Sequence, residues 1–395
     1  MKAFTKIIRL SLLLLIPGWP VTSSFAQCEE TELTNSDRAG QDNFGAAIAL
    51  DRSGLAVGAT GDDNDAGSVY LLKRMVGAWV QKSKLLASDR QDGDLFGAAV
   101  ALQKNRVVVA APYDDDLGSA SGSVYVYTGE GANGFAEAKL HAADGVADEQ
   151  FGTAVATLGN RIAIGARNDQ AAGFAAGAAY VFHLAGGTWV QEAKLISADI
   201  HDFDIFGVSV AMGGRQIAVG ALGAQTDGVR VGAVYVFELD NGNWVQQAKL
   251  VASDPNDLDF FGSSVAMTRD GTRIIAGAMG DDEIGYDSGA AYIFRRDSDN
   301  WVQEAKLVGD ASEVFGTSVA INFPYCAVGA PSYQGKGATY LVLFDGANWN
   351  LVNRFQPSDG TIDDSYGQAV AVDPRTLAAG APLHKNESGP GAVYV

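Results

Sequence analysis

Cysteine is nearly absent: Cys28 and Cys326 are the only two in 395 residues. Two thiols cannot make a disulfide framework, and they fall in different repeat units at different depths, so both are read as unpaired. Basic residues are also scarce, with 28 Lys and Arg against 47 Asp and Glu and a formal net charge of −19. Such a surface repels nucleic acid and anionic lipid and excludes both as partners; it attracts divalent cations or cationic partners. No run after the first residues is long and apolar enough to be a membrane helix, so no transmembrane segment is expected. The four histidines, His141, His183, His201 and His384, are scattered without metal-ligand spacing and read as ordinary loop or strand residues. There is no G-x-S-x-G, no phosphate-cradling loop and no Cys-His arrangement, and helical periodicity is missing throughout.

What is present begins with a leader. Lys2, Lys6 and Arg9 precede an apolar run through Ile16 and a small-residue exit at Ser24-Phe25-Ala26. These are the parts of a secretory signal peptide over residues 1–26, cut near Ala26, which places the mature chain outside the cytoplasm: secreted, periplasmic or at the cell surface. Its loss takes the net charge to −22, since the leader holds three basic residues and no acidic one. A lipid anchor at Cys28 is disfavoured by Gln27, which is larger than the residue such sites prefer.

An aromatic-Gly pair then recurs at Phe44, Phe96, Phe151, Phe206, Phe261, Phe315 and Tyr366, at steps of 52, 55, 55, 55, 54 and 51 residues. A period this regular marks a repeat architecture. Each unit contains four apolar runs of strand length separated by turn residues. In the third unit these are 151–156, 161–166, 177–182 and 189–195, the last alternating so that Trp189, Gln191, Ala193 and Leu195 share a face. The second run closes on Gly-Ala, as at Gly165-Ala166 and Gly220-Ala221, and the third carries a Tyr at 70, 125, 180, 235, 292, 340 and 394.

Seven antiparallel four-strand units fit a seven-bladed β-propeller, an all-β single domain over residues 28–395. The last unit stops at Gly391-Ala-Val-Tyr-Val395, after its third strand. Its missing strand is at the other end: Thr31-Glu32-Leu33 precedes Phe44 as Ser83-Lys84-Leu85 precedes Phe96, with Leu eleven positions ahead of Phe in both. The N-terminal segment is therefore expected to complete blade seven and remove two free sheet edges.

The sevenfold Phe-Gly-x-x-Val-Ala followed by Val-Gly-Ala-Pro resembles the FG-GAP repeat of the integrin α-subunit N-terminal β-propeller and its bacterial extracellular relatives. The resemblance implies a seven-bladed propeller acting as a recognition or adhesion module for protein or glycan. Integrin-type Ca²⁺ loops of the form Asp-x-Asp-x-Asp-Gly are missing from the hairpins between first and second strands, which read Asp51-Arg-Ser-Gly54, Gln103-Lys-Asn105 and similarly elsewhere. No metal is expected there and no cofactor is required.

Acidic residues gather in two other places. A carboxylate lies two before every repeat aromatic (Asp42, Asp94, Glu149, Asp204, Asp259, Glu313, Asp364), and an Asp lies seven before six of them (Asp37, Asp89, Asp144, Asp199, Asp254, Asp359). Their recurrence favours a structural reading, with side chains accepting backbone N–H groups in turns. The loops between second and third strands break the symmetry with Asp62, Asp63 and Asp65, with Asp114, Asp115 and Asp116, and with Asp281, Asp282 and Glu283. These nine are the candidate ligand-binding residues, either a weak Ca²⁺ site or a surface for a cationic or hydroxyl-rich partner; a solvated acidic loop is the plainer alternative. The expected function is an exported, monomeric binding or adhesion module without bond chemistry. The alternative is a carbohydrate-active enzyme using rim carboxylates, against which stand uniform loop lengths that leave little material for a deep cleft.

Overall fold

The computed structural model describes residues 30–129, 134–385 and 389–395. Residues 1–26 and Cys28, read as leader and lipidation candidate, lie outside them. The described residues form seven four-stranded antiparallel sheets. In the third, Phe151–Leu158, Arg161–Ala166, Ala178–Ala185 and Thr188–Leu195 pair in chain order. The first strands of the seven sheets touch one another in a closed ring, the first sheet meeting the seventh. This is a seven-bladed β-propeller, and among the described residues only Asp62–Asp65 and Tyr333–Gly335 are helical.

The second strand of each blade is apolar because both of its faces are covered: Val107 to Ala111 and Ile162 to Ala166 are buried throughout. Burying a Val or Ile side chain contributes about 1.5–3 kcal/mol, so these short strands anchor the sheets. The repeated aromatic packs edge-on against the third-strand tyrosine of its own blade, as Phe96 does on Tyr125 (5.3 Å) and Phe151 on Tyr180 (5.4 Å).

The repeated glycines have one shared cause. A Cβ at Gly165 would lie 1.9 Å from the carbonyl oxygen of Gly207, the Phe-Gly glycine of the next blade, and a Cβ at Gly380 would lie 2.1 Å from that of Gly45. Gly-Ala of one blade and Phe-Gly of the next are therefore two sides of one backbone-to-backbone contact, repeated around the ring.

The fourth strand departs from the simple alternation. Val181 pairs with Ala193 but Phe182 with Gln191, leaving Glu192 as a β-bulge. Equivalent register shifts occur in blades one, four, five and six. The extra residue flips the strand's faces midway. Trp189 packs into the interface with blade two, whereas Ala193 and Leu195 pack into the interface with blade four. The expectation that Trp189, Gln191, Ala193 and Leu195 share a face is thus overturned by one bulged residue. Beyond the bulge Lys194 stands opposite Tyr180, as Lys139 stands opposite Tyr125 in blade two without one, with consequences for the rim.

Blade seven consists of Val370–Asp373, Thr376–Ala381, Ala392–Tyr394 and the N-terminal strand Glu32–Leu33. Glu32 pairs with Tyr394 and Leu33 with Val393, and Thr31 and Val395 exchange backbone hydrogen bonds of 2.9 and 3.1 Å. Leu33 is buried with Phe44, Leu55, Tyr70 and Val393, between the last blade and the first. The chain's beginning closes its own ring, as the Leu-to-Phe spacing predicts.

Candidate functional site: the acidic loop rim

Antiparallel order puts the loops between second and third strands on the same rim as those linking each fourth strand to the next blade. The two loop sets touch: parallel bridges join Gly67 to Phe96, Gly177 to Phe206 and Gly289 to Phe315. All the acidic candidates therefore lie on one rim, but they are not alike.

The carboxylates two before each aromatic are buried and cap turns. Asp94 accepts the Gln91 N–H (2.7 Å), Asp204 that of His201 (2.8 Å) and Asp259 that of Asn256 (2.7 Å). Burial raises the pKa of Asp94, Glu149 and Asp204, and pushes Asp259 up to about 6, with the Asp281 charge adding to the effect. The Asp residues seven before the aromatic do something else. Asp89 accepts from the Tyr125 hydroxyl (2.8 Å) and from Lys139 (2.7 Å); Asp254 accepts from Tyr292 (2.9 Å) and Lys306 (2.7 Å). Partial burial alone would raise these carboxyls, but the bonds from Lys and Tyr hold them below the usual carboxylate range.

The same Tyr and Lys engage the first acid of each inter-strand loop. Asp114 lies 2.8 Å from the Tyr125 hydroxyl and 2.9 Å from Lys139 Nζ; Asp281 lies 2.8 Å from Tyr292 and 2.9 Å from Lys306; Asp62 lies 3.3 Å from Tyr70 and 2.5 Å from Lys84. Asp169 in blade three does likewise with Tyr180 (2.7 Å) and Lys194 (2.6 Å). Each such blade holds a node of one Tyr, one Lys and two Asp, with the ammonium over the ring face, as Lys139 over Tyr125 at 5.1 Å. Desolvation, with the adjoining carboxylates, pushes Tyr70 up to about 12 and raises Tyr125 and Tyr292. Asp62, Asp114 and Asp281 are thus buried and turned inward, and Asp169 gives blade three the same residue.

The outer candidates face solvent. Asp63 pairs with Arg90 (2.8 Å), Asp115 accepts the Ala120 N–H, Asp116 meets Lys139 (2.5 Å), Asp282 accepts the Asp287 N–H and Glu283 meets Lys306 (2.5 Å); Asp65 is exposed with φ 62°. Blades one and two set their acidic loops side by side, while that of blade five is apart from both. Among the described residues, the grouping whose donor atoms lie close enough for one metal ion is different: Glu32, Asp359 and His384, with those atoms within 4.8 Å of one another. Cys326 is free and buried.

Among the site residues outside the nine candidates are His384, which reads in the sequence as an ordinary loop or strand residue, and the lysines. The recurrent Lys one position before Leu85, Leu140, Leu195, Leu250 and Leu307 carried the signal for the nodes. Glu32, standing before Leu33 where those units have Lys, carried the signal for blade seven.

Fold and rim define a β-propeller of Phe-Gly/Gly-Ala units with tyrosine–aspartate nodes along one edge. The FG-GAP repeat family matches residues 28–72, 79–127, 135–182, 189–237, 244–294 and 349–395, and the chain belongs to it. The stretch between 294 and 349 is unmatched but folds as the fourth strand of blade five, Asn300–Val308, and the first three strands of blade six; the loop between the second and third of these carries no Asp, and Tyr340 bonds to Glu313 instead (2.7 Å). A comparison with curated proteins returns no match.

Proposed function

We propose that this protein is an exported binding module that recognises a protein or glycan partner through its acidic loop rim, without bond chemistry. One observation carries the reading: large apolar side chains stand exposed among the carboxylates of this rim, from several blades. Tyr113, Phe174, Phe203, Leu258, Tyr286 and Ile362 are all exposed, Tyr286 by 76%. Phe174 and Phe203 join neighbouring blades through an edge-to-face contact at 5.2 Å, with Arg230 over Phe203. Exposed aromatics ringed by polar groups are the composition of a contact surface, and aromatic rings also stack on sugar faces.

Export rests on the leader-like residues 1–26. No helix among the described residues is long and apolar enough to cross a membrane. The test is a screen of residues 28–395 against extracellular protein and glycan arrays, with and without Ca²⁺, alongside assays of polysaccharide turnover. Saturable binding lost in a combined Phe174→Ser, Phe203→Ser, Tyr286→Ser variant of unchanged melting temperature is the expected result. Polysaccharide turnover abolished by Asp115→Asn or Asp116→Asn would replace the binding module with the carbohydrate-active enzyme.

A further inference from the structure

Blade seven inverts the charge pattern of the other rim nodes. In blades one to five the residue opposite the node tyrosine is Lys84, Lys139, Lys194, Lys249 or Lys306, and in blade six it is Arg354. Opposite Tyr394 stands Glu32. Where blades two, three and five have a buried Asp eleven positions before the tyrosine, blade seven has His384, fully buried ten positions before it.

The hydrogen bonds around His384 constrain its protons. Nδ1 lies 2.9 Å from Asp364 Oδ2; a carboxylate there accepts, so Nδ1 carries the proton. Nε2 is left facing Glu32 Oε1 and Asp359 Oδ2, both at 3.7 Å, too far for hydrogen bonds. The Tyr394 hydroxyl is 3.4 Å from Nε2, but its single proton is already given to Asp359 Oδ1 at 2.8 Å. A buried ring nitrogen is thus aimed, without a donor, between two carboxylates. Among the described residues no Lys or Arg side chain pairs with Glu32, Asp359 or Asp364.

We propose that blade seven binds one divalent transition-metal ion of the Zn²⁺ class through His384 Nε2, Glu32 and Asp359, the ion standing where the other blades hold a Lys or Arg. One nitrogen and two carboxylate oxygens are a donor set for such an ion rather than for Ca²⁺, which takes oxygen alone. The geometry is near what is needed: ligands about 2.0–2.2 Å from a tetrahedral ion are separated by roughly 3.4 Å, against the 3.7 Å found from Nε2 to each oxygen. Asp364 supplies the partner that metal-bound histidines ordinarily have, a carboxylate on the far nitrogen fixing tautomer and ring orientation. The ion would tie the N-terminal strand to the rim loops on either side of it, at the seam of the ring.

The experiment uses untagged protein stripped with chelator and titrated with Zn²⁺ alone, read by calorimetry, metal content and melting temperature. One Zn²⁺ per chain and a raised melting temperature are expected. Glu32→Lys restores the cation of the other blades, so this variant should bind Zn²⁺ at least about 100-fold more weakly while melting no lower than the stripped wild type. His384→Gln should lose Zn²⁺ binding equally, which guards against a folding failure of the first variant. The proposal is overturned if wild-type protein takes up no stoichiometric Zn²⁺, or if uptake is unchanged in both variants, which would place the ion elsewhere on the acidic surface.

Discussion

Glu32 faces Tyr394 directly across the last strand pair, in the register where Lys306 faces Tyr292 and Lys139 faces Tyr125. The seam of the ring is therefore the one place where a repeat built on a tyrosine, a cation and carboxylates has no Lys or Arg of its own. In blades one, two, three and five the cation holds a buried and an exposed acid, and in blades four and six an exposed one alone, so the consequences of removing it differ from blade to blade.

Lys306 bonds to buried Asp281 and exposed Asp254, whereas Lys249 bonds only to exposed Asp199 among carboxylates, because Ala224 takes the place of the buried acid. Lys306→Met strands a carboxylate in the interior and should cost about 3–5 kcal/mol. Lys249→Met should cost about 1 kcal/mol or less. Urea unfolding of both variants checks the difference, and equal losses would mean the nodes are surface ion pairs only.

Gly165 touches Gly207 backbone to backbone. Gly165→Ala forces blades three and four apart or distorts one of them, and should destabilise by more than about 2 kcal/mol. Blade two shows what adaptation looks like: Ala110 stands in this position, and the facing Gly152 has space for a Cβ only 3.0 Å from the Ala110 methyl. Thermal melting is the readout, and an unchanged midpoint would remove the glycine contact as the reason for the repeat.

Asp259 gives the chain a pH dependence of definite sign. Burial, with the nearby Asp281 charge, raises its pKa to about 6 against an ordinary 3.8, so the folded state holds the proton more tightly than the unfolded chain does. This group's contribution is fully present below about pH 4 and is lost as pH rises through about 6. Asp259→Asn removes that fall while its amide oxygen still accepts from the Asn256 N–H. The variant should gain on wild type between pH 4 and 7, seen in melting curves across that range. Asp254, held low by Lys306 and Tyr292 against a partial desolvation that would raise it, acts in the opposite sense, losing its contribution as pH falls below about 3.8.

Leu33 is buried between blades seven and one. Leu33→Asp places an unpaired charge there and should cost about 2–4 kcal/mol, detaching the N-terminal strand and exposing the edge at Tyr394. Urea unfolding, with protease sensitivity of the last strand, reads both effects; an unaltered transition would mean the ring is held closed without this strand.

The blade count and the seam were legible in the sequence because the residues that set them are themselves the contact: aromatic-Gly meets Gly-Ala at six of the seven blade boundaries and Ala110-Ala111 at the other, and Leu33 keeps the spacing to Phe44 that Leu85 keeps to Phe96. The faces of the fourth strand were not legible, since one bulged residue at Glu192 reverses them and alternation on either side of it looks unbroken. The rim misled for a related reason. Asp62, Asp114 and Asp281 look like irregular loop acids beside Asp63, Asp115 and Asp282, yet burial against Tyr and Lys makes them parts of a repeated node. His384 occurs once, so no periodicity announced it; only Glu32 in the place of Lys84 did.

The central claim is that the rim carrying Phe174, Phe203 and Tyr286 is the contact surface. Partner binding should be measured for that triple Ser variant beside one altered on the opposite rim, at Met75, Val76 and Phe323, both confirmed to melt as wild type. Binding lost at least about tenfold on the acidic rim alone is the predicted result. Binding kept there and lost from the opposite rim would contradict the account.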